Sequence, residues 1–108
     1  MRIERGEVYW VNFDPSVGGE IQKTRPAIIV SNNSANAALN RVQVIPITSK
    51  VDRVYPGEAL IELRGETRKA MASQLATVSK ARLGSKLANV TSQDMKSVES
   101  AIMTQLAL

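Results

Sequence analysis

Gly6-Glu7-Val8-Tyr9-Trp10-Val11-Asn12-Phe13-Asp14 sets Val8, Tyr9, Trp10, Val11 and Phe13 in one short run between a glycine and an Asp-Pro turn. β-Branched and aromatic side chains at that density fit a pleated surface, and the scarcity of polar residues among them predicts a strand buried on most sides. Trp10 and Phe13 are read as core residues of that strand before they are read as platforms for a stacked base. Toward the C-terminus, Asp14-Pro15-Ser16-Val17-Gly18-Gly19-Glu20 gathers turn formers, and polar residues continue to Thr24. A long connection therefore leads to a second strand at Ala27-Ile28-Ile29-Val30, and loops of that length are more often functional than idle. Pro26 lacks an N–H and belongs at the start or edge of that strand.

Ser31 to Asn40 is rich in Asn, Ser and Ala and reads as a loop with a helical turn, followed by a third strand from Val42 to Thr48. Ser49 to Gly57 is another polar connection. Ala59 to Leu63 alternates apolar and acidic residues, as a half-exposed fourth strand does, and Ala70 to Ser79 and Lys86 to Val90 are short strands with weaker patterns. From Ser92 the period becomes helical: Met95, Val98, Ile102 and Leu106 share one face, and Thr91 with Asp94 forms an N-cap box. Short strands, long polar loops and one terminal helix predict a mainly β fold, a small antiparallel sheet curled into a barrel with the C-terminal helix packed across it.

The chain has 108 residues, the size of one domain, and residues 1–108 are read as one. A hydrophobic fraction of 44% and a charged fraction of 22% are ordinary for a globular protein, and no apolar run is long enough to span a membrane. The charged start, Met1-Arg2-Ile3-Glu4-Arg5-Gly6-Glu7, has no apolar segment before a cleavage site, so the expected location is the cytoplasm. There is no cysteine and no histidine. Disulfides, thiolate metal sites, thiol nucleophiles and imidazole bases are thereby excluded, and neither metal nor cofactor is expected. Any catalysis must use Arg, Lys, carboxylates, hydroxyls or backbone. A net charge of +4 favours anionic partners, nucleic acid above all.

Thr24-Arg25-Pro26 stands where the first long loop meets the second strand, and Pro46-Ile47-Thr48-Ser49 where the third strand meets the next loop. If those strands are antiparallel neighbours, Arg25 and Thr48 share one end of the sheet. Position alone also fits an ordinary reading, in which Arg25 is a solvated edge charge and Thr48 and Ser49 satisfy turn backbone.

Two blocks shift that balance. Arg5 to Ser31, RGEVYWVNFDPSVGGEIQKTRPAIIVS, resembles the N-terminal signature of the MazF/PemK toxin family, and Val42-Gln43-Val44-Ile45-Pro46-Ile47-Thr48-Ser49 resembles its second motif, in the right order and at the right distance. The resemblance implies an SH3-like, CcdB-like barrel, a homodimer, and a sequence-specific endoribonuclease held in check by a cognate acidic antitoxin. It implies that Arg25 is the catalytic arginine, Thr48 its hydroxyl partner and Glu20 the acidic residue of the first loop. Gly19 stands where some members have histidine, and Met71-Ala72-Ser73 replaces an Arg-Cys-Asp segment, so the resemblance leaves the general base unassigned.

Cleavage of single-stranded RNA by its own 2′-hydroxyl requires a base, an acid and cationic matching of the phosphorane, and no metal. Arg25 offers a planar fork for two phosphate oxygens, Thr48 a hydroxyl donor, and Glu20 a nearby carboxylate for the base. Lys23, Lys50 and Arg53 lie on the same loops and are candidates for flanking phosphates; Ser49 and Gln74, with Asn32 and Asn33, are candidates for hydrogen bonds to RNA, and Tyr55 for stacking on a base. Taken singly, the lysines and Arg53 read first as ordinary solvated surface, and Asn is also what turns prefer. Two other functions fit the same fold: a CcdB-like gyrase poison, and a non-catalytic SH3-like module that binds nucleic acid.

Overall fold

Two prolines govern how the sheet is joined. The computed structural model describes residues 2–108. Its strands are β1 (Glu7–Asn12), β2 (Thr24–Ile29), β3 (Arg41–Thr48), β4 (Glu58–Leu63), β5 (Glu66–Met71), β6 (Ala76–Ser79) and β7 (Leu83–Asn89); its helices are α1 (Asn33–Ala38) and α2 (Ser92–Leu106). All pairings are antiparallel, in the order β4-β5-β3-β2-β1-β7, with β6 also on β3. β3 is the spine. On one side it carries β6 along Arg41–Val44 and then β5 at Ile47 and Thr48, and on the other it pairs with β2 only from Val44 to Pro46. The result is the expected curled antiparallel half-barrel with a C-terminal helix.

The β2–β3 ladder ends at Ala27↔Pro46. Val30 N–H donates to Gln43 O at 3.0 Å, so the bonded positions of this ladder run through Val30, Ile28 and Pro26, and Pro26 has no N–H to donate toward β3. The strands part there, while Pro46 faces the other edge of β3, at the step between its β6 and β5 partners. Pro26 thus sits inside β2, and β2 lies between β1 and β3, whereas a strand start or edge was expected. It is tolerated because its β3 side has no ladder to break.

Both faces of the sheet are covered. Val8, Ile28, Ile45, Ile47, Ile61 and Leu63 pack with Met95, Val98 and Ala101 of α2, while Tyr9, Val11, Phe13, Ala27, Ile29, Val42 and Val44 form a second cluster closed by Ile3 and Val78. This double burial explains why β1 reads as a nearly continuous apolar run. α2 begins where Thr91 Oγ1 accepts the Asp94 N–H at 3.1 Å, and Asp94 Oδ2 in turn accepts the Glu62 N–H at 2.9 Å, fixing the helix to β4. The expected helical face holds for Met95, Val98 and Ile102, with Ala101 added, but Leu106 is exposed because no residue beyond Ile102 joins the core. The span Ala70–Ser79, expected as one strand, is the end of β5, a 3-10 turn at Ala72–Gln74, and β6.

At the far end of β1, Glu7 accepts hydrogen bonds from Glu4 N–H at 2.7 Å and Tyr9 O–H at 3.1 Å and pairs with Lys86 at 2.9 Å. Burial pushes the Glu7 carboxyl up, but Lys86 and the two donors outweigh it and leave it below its ordinary value. Burial, reinforced by the Glu7 carboxylate, pushes the Tyr9 phenol up to about 12.

Candidate active site

Where β2 and β3 separate, a cleft of about 580 Å³ opens. The register of the surviving ladder, Ile29↔Val44, Ile28↔Ile45 and Ala27↔Pro46, extended by two residues sets Arg25 opposite Thr48. Both residues line the cleft, with Trp10, Thr24, Pro26, Ile47 and Ser49 beside them. The geometry inferred from sequence, two loop junctions meeting at one sheet end, is the one observed.

Arg25 is aimed by its own loop. Its Nε donates to Gln22 O at 2.9 Å, and among the described residues no hydrogen bond or ion pair occupies its terminal nitrogens. The loop itself is braced along its length. Phe13 N–H donates to Lys23 O at 2.9 Å, Lys23 N–H to Asp14 Oδ1 at 2.9 Å, and Arg82 Nη1 to Asn12 O at 2.9 Å. Lys23 takes a left-handed φ of 68°, a conformation an L residue adopts at some cost, which is consistent with a turn held by these bonds. Thr48 Oγ1 accepts the Lys50 N–H at 3.2 Å, which leaves its hydroxyl proton available to another acceptor.

The far wall comes from a hairpin. Arg64 and Gly65, at φ 52° and 81°, form the two-residue turn between β4 and β5, with Leu63 opposite Glu66. Arg64, Glu66 and Arg68 all line the cleft. Along the β5 face that carries Ala70 into the core, the next residues outward are Arg68 and Glu66, so an apolar face becomes a charged one at the cleft. Arg68 is ion-paired to Glu66 and also donates to Thr67 O at 3.1 Å. Arg25, Arg64 and Arg68 against Glu66 leave the lining with two more cations than anions, a field suited to a polyanion.

The remaining sequence-derived candidates are dispersed. Ser49 lines the cleft; Lys23, Lys50, Arg53 and Tyr55 lie outside its lining. Tyr55 is exposed, with Lys69 Nζ 6.0 Å from its ring centroid, and Arg53 contributes its carbonyl to Lys69 Nζ at 2.9 Å. Glu20 accepts the Val17 N–H at 2.8 Å and borders a separate cavity of about 390 Å³ with Phe13, Ile21 and Gln74. Gln74 uses both ends of its amide on the first loop, accepting from Ile21 N–H at 3.2 Å and donating to Gly19 O at 3.1 Å. Asn32 caps α1, and Asn33 accepts the Arg5 N–H at 2.7 Å. Phe13 is core as expected. Trp10 is not: it is 38% exposed and forms a wall of the cleft. Arg64, Glu66 and Arg68 were missed altogether, although the Arg-Gly pair after an alternating strand was a hairpin signal.

Comparison with known proteins gives the family of the chain. Residues 4–106 match the family described as PemK-like, MazF-like toxin of type II toxin-antitoxin system. The chain is 31% identical to the endoribonuclease MazF9 of Mycobacterium tuberculosis, covering 98% of each chain. Its structure resembles that of a mycobacterial endoribonuclease solved in complex with its cognate antitoxin, with a TM-score of 0.82 at 27% identity over 98% of this chain and 96% of that one. The fold also matches MazF from Deinococcus radiodurans, with a TM-score of 0.88 at 24% identity over 100% and 99% of the two chains. The chain belongs to the PemK-like, MazF-like toxin family of type II toxin-antitoxin systems.

Proposed function

We propose that the cleft between β2 and β3 is the cleavage centre of an endoribonuclease toxin, and that it cuts single-stranded RNA through attack by the RNA's own 2′-hydroxyl. The observation that carries this reading is the meeting of Arg25 and Thr48 across the interrupted ladder, with the terminal guanidinium nitrogens unoccupied. The guanidinium stays protonated at neutral pH and its fork spans two oxygens, so Arg25 matches the charge that accumulates on the phosphorane. Thr48 donates to a non-bridging oxygen or orients the 2′-hydroxyl. Ser49 extends the donor set, and Lys23, Lys50, Arg53 and Tyr55 meet flanking nucleotides. Glu20 and Gln74 act through the first loop, whose backbone their side chains hold.

Because the RNA supplies the nucleophile and arginine the charge, the reaction proceeds without a metal and leaves a 2′,3′-cyclic phosphate and a 5′-hydroxyl. The site of action is the cytoplasm, where RNA and a cognate antitoxin meet the toxin. The antitoxin in this reading carries an acidic segment that covers the basic loops around Lys23, Arg25, Lys50 and Arg53. The toxin is a homodimer, with exposed Met103 and Leu106 of α2 and Leu108 just beyond it available to the interface.

The test is cleavage of one labelled RNA with and without EDTA, with both product ends mapped. Cutting in EDTA that yields the cyclic phosphate, and that stops when the attacked 2′-hydroxyl is replaced by hydrogen, is the expected result. A strict magnesium requirement, or cutting of the deoxy-substituted strand, would overturn it.

A further inference from the structure

We infer that Glu66 is the general base of the cleft. This rests on the endoribonuclease reading above and supplies the group that reading lacks.

Proton removal from a 2′-hydroxyl needs an acceptor in its neutral or anionic form at working pH. The chain has no histidine and no cysteine. Among the cleft-lining residues the guanidiniums of Arg25, Arg64 and Arg68 are already protonated, the Trp10 indole is a donor only, and Thr24, Thr48 and Ser49 carry neutral hydroxyls. Glu66 is the one carboxylate in the lining. Glu20, the alternative from the first loop, borders the other cavity and has an oxygen committed to Val17 N–H.

Placement supports the assignment. Glu66 sits at the first position of β5, directly after the Arg64-Gly65 turn, and its partner across the hairpin, Leu63, is buried in the core. Arg68, two residues on and on the same strand face, pairs with one carboxylate oxygen, and among the described residues no hydrogen bond or ion pair occupies the other. An anion in a cationic cleft repels phosphate, so it weakens RNA binding unless it contributes to the reaction itself.

The step balances. A Glu66 oxygen takes the proton from the 2′-hydroxyl as O2′ bonds to phosphorus. The bond from phosphorus to O5′ breaks, its electron pair stays on O5′, and O5′ takes a proton from water. The hydroxide left behind recovers the proton from Glu66. Arg25 and Thr48 meet the charge on the non-bridging oxygens throughout.

The experiment measures single-turnover cleavage against pH, and affinity for the same RNA with its attacked 2′-hydroxyl removed, in wild type, Glu66→Gln, Glu66→Asp, Glu20→Gln and Arg25→Lys. Glu66→Gln is expected to bind the deoxy-substituted RNA as tightly as wild type or tighter, to cut it in its ribose form about 100-fold more slowly or worse, and to lose the acid-side rise of rate with pH. Glu66→Asp, which keeps a carboxylate, should retain that rise at reduced rate. Matching melting temperatures show that the variants fold; Glu66 is 65% exposed, so the hairpin tolerates the change. If Glu66→Gln both binds and cuts faster, the carboxylate is only a repulsive charge and the proposal is overturned. If the acid-side rise vanishes in Glu20→Gln and survives in Glu66→Gln, the base is Glu20. Wild type that cuts and Arg25→Lys that does not, with Glu66→Gln at full rate, removes Glu66 alone; wild type that leaves RNA intact removes the whole reading.

Discussion

At the residue scale, Arg25 and Thr48 are separable from the fold because both stand where the β2–β3 ladder has already ended. Arg25→Lys keeps the positive charge and loses the fork, so RNA binding should persist while single-turnover cleavage falls by about 100- to 1,000-fold. Thr48→Val removes a hydroxyl with little change of shape and should slow the cut in the same assay, with the melting temperature unchanged. Cleavage by Arg25→Lys at the wild-type rate would reduce Arg25 to an electrostatic contact. Tyr9 carries a prediction about stability. Its phenol proton is held to about 12 in the fold against 10.0 ordinarily, so the unfolded chain releases it first as pH rises. Stability is therefore complete below about pH 10 and declines toward 12, by a few kcal/mol at most, on the order of 1.4 per unit. Glu7 works the other way: its contribution is present above its ordinary 4.5 and is lost as pH falls below it. In urea melts across pH, Tyr9→Phe should flatten the alkaline decline, and an unchanged decline would assign it to other groups.

At the scale of elements, the β4–β5 hairpin is the least forgiving connection, since Gly65 holds φ 81° and a Cβ added there meets no atom within 4 Å. The cost of Gly65→Ala is then backbone strain alone, roughly 1–2 kcal/mol. If the hairpin carries part of the site, cleavage should fall along with stability; a variant equally stable and equally active would contradict both. This hairpin also shows what the sequence conceals. β4 was legible because Ala59, Ile61 and Leu63 point inward and Leu60 and Glu62 outward. The start of β5 was not, because Arg68 and Glu66 occupy the positions that continue the core-facing row, and charges there erase the alternation that marks a strand. Trp10 was misplaced for a related reason. It shares a strand face with Val8, which is fully buried, and only the parting of β2 from β3 exposes one and not the other. Arg25 and Thr48 were legible because antiparallel pairing of two recognisable strands fixes which ends meet.

At the scale of the molecule, the net charge of +4 and the cationic cleft make RNA affinity depend on salt. For a single strand, each neutralised phosphate contributes about 0.7 to the slope of log affinity against log salt. Lys23→Gln and Lys50→Gln should each lower the slope by about that amount and weaken all RNA sequences alike, as titrations at several salt concentrations would show. Unchanged slopes would place both lysines outside the RNA path. The exposed indole in the cleft wall has an optical consequence. The chain contains one tryptophan, and it is Trp10. Excited at wavelengths that tyrosine does not absorb, the protein emits from this position alone, with no background from a buried indole to dilute the signal. The emission is thus a label-free reporter of the cleft, and a nucleobase stacked on the ring would quench it, so that occupancy could be followed in real time on unmodified protein and unmodified RNA.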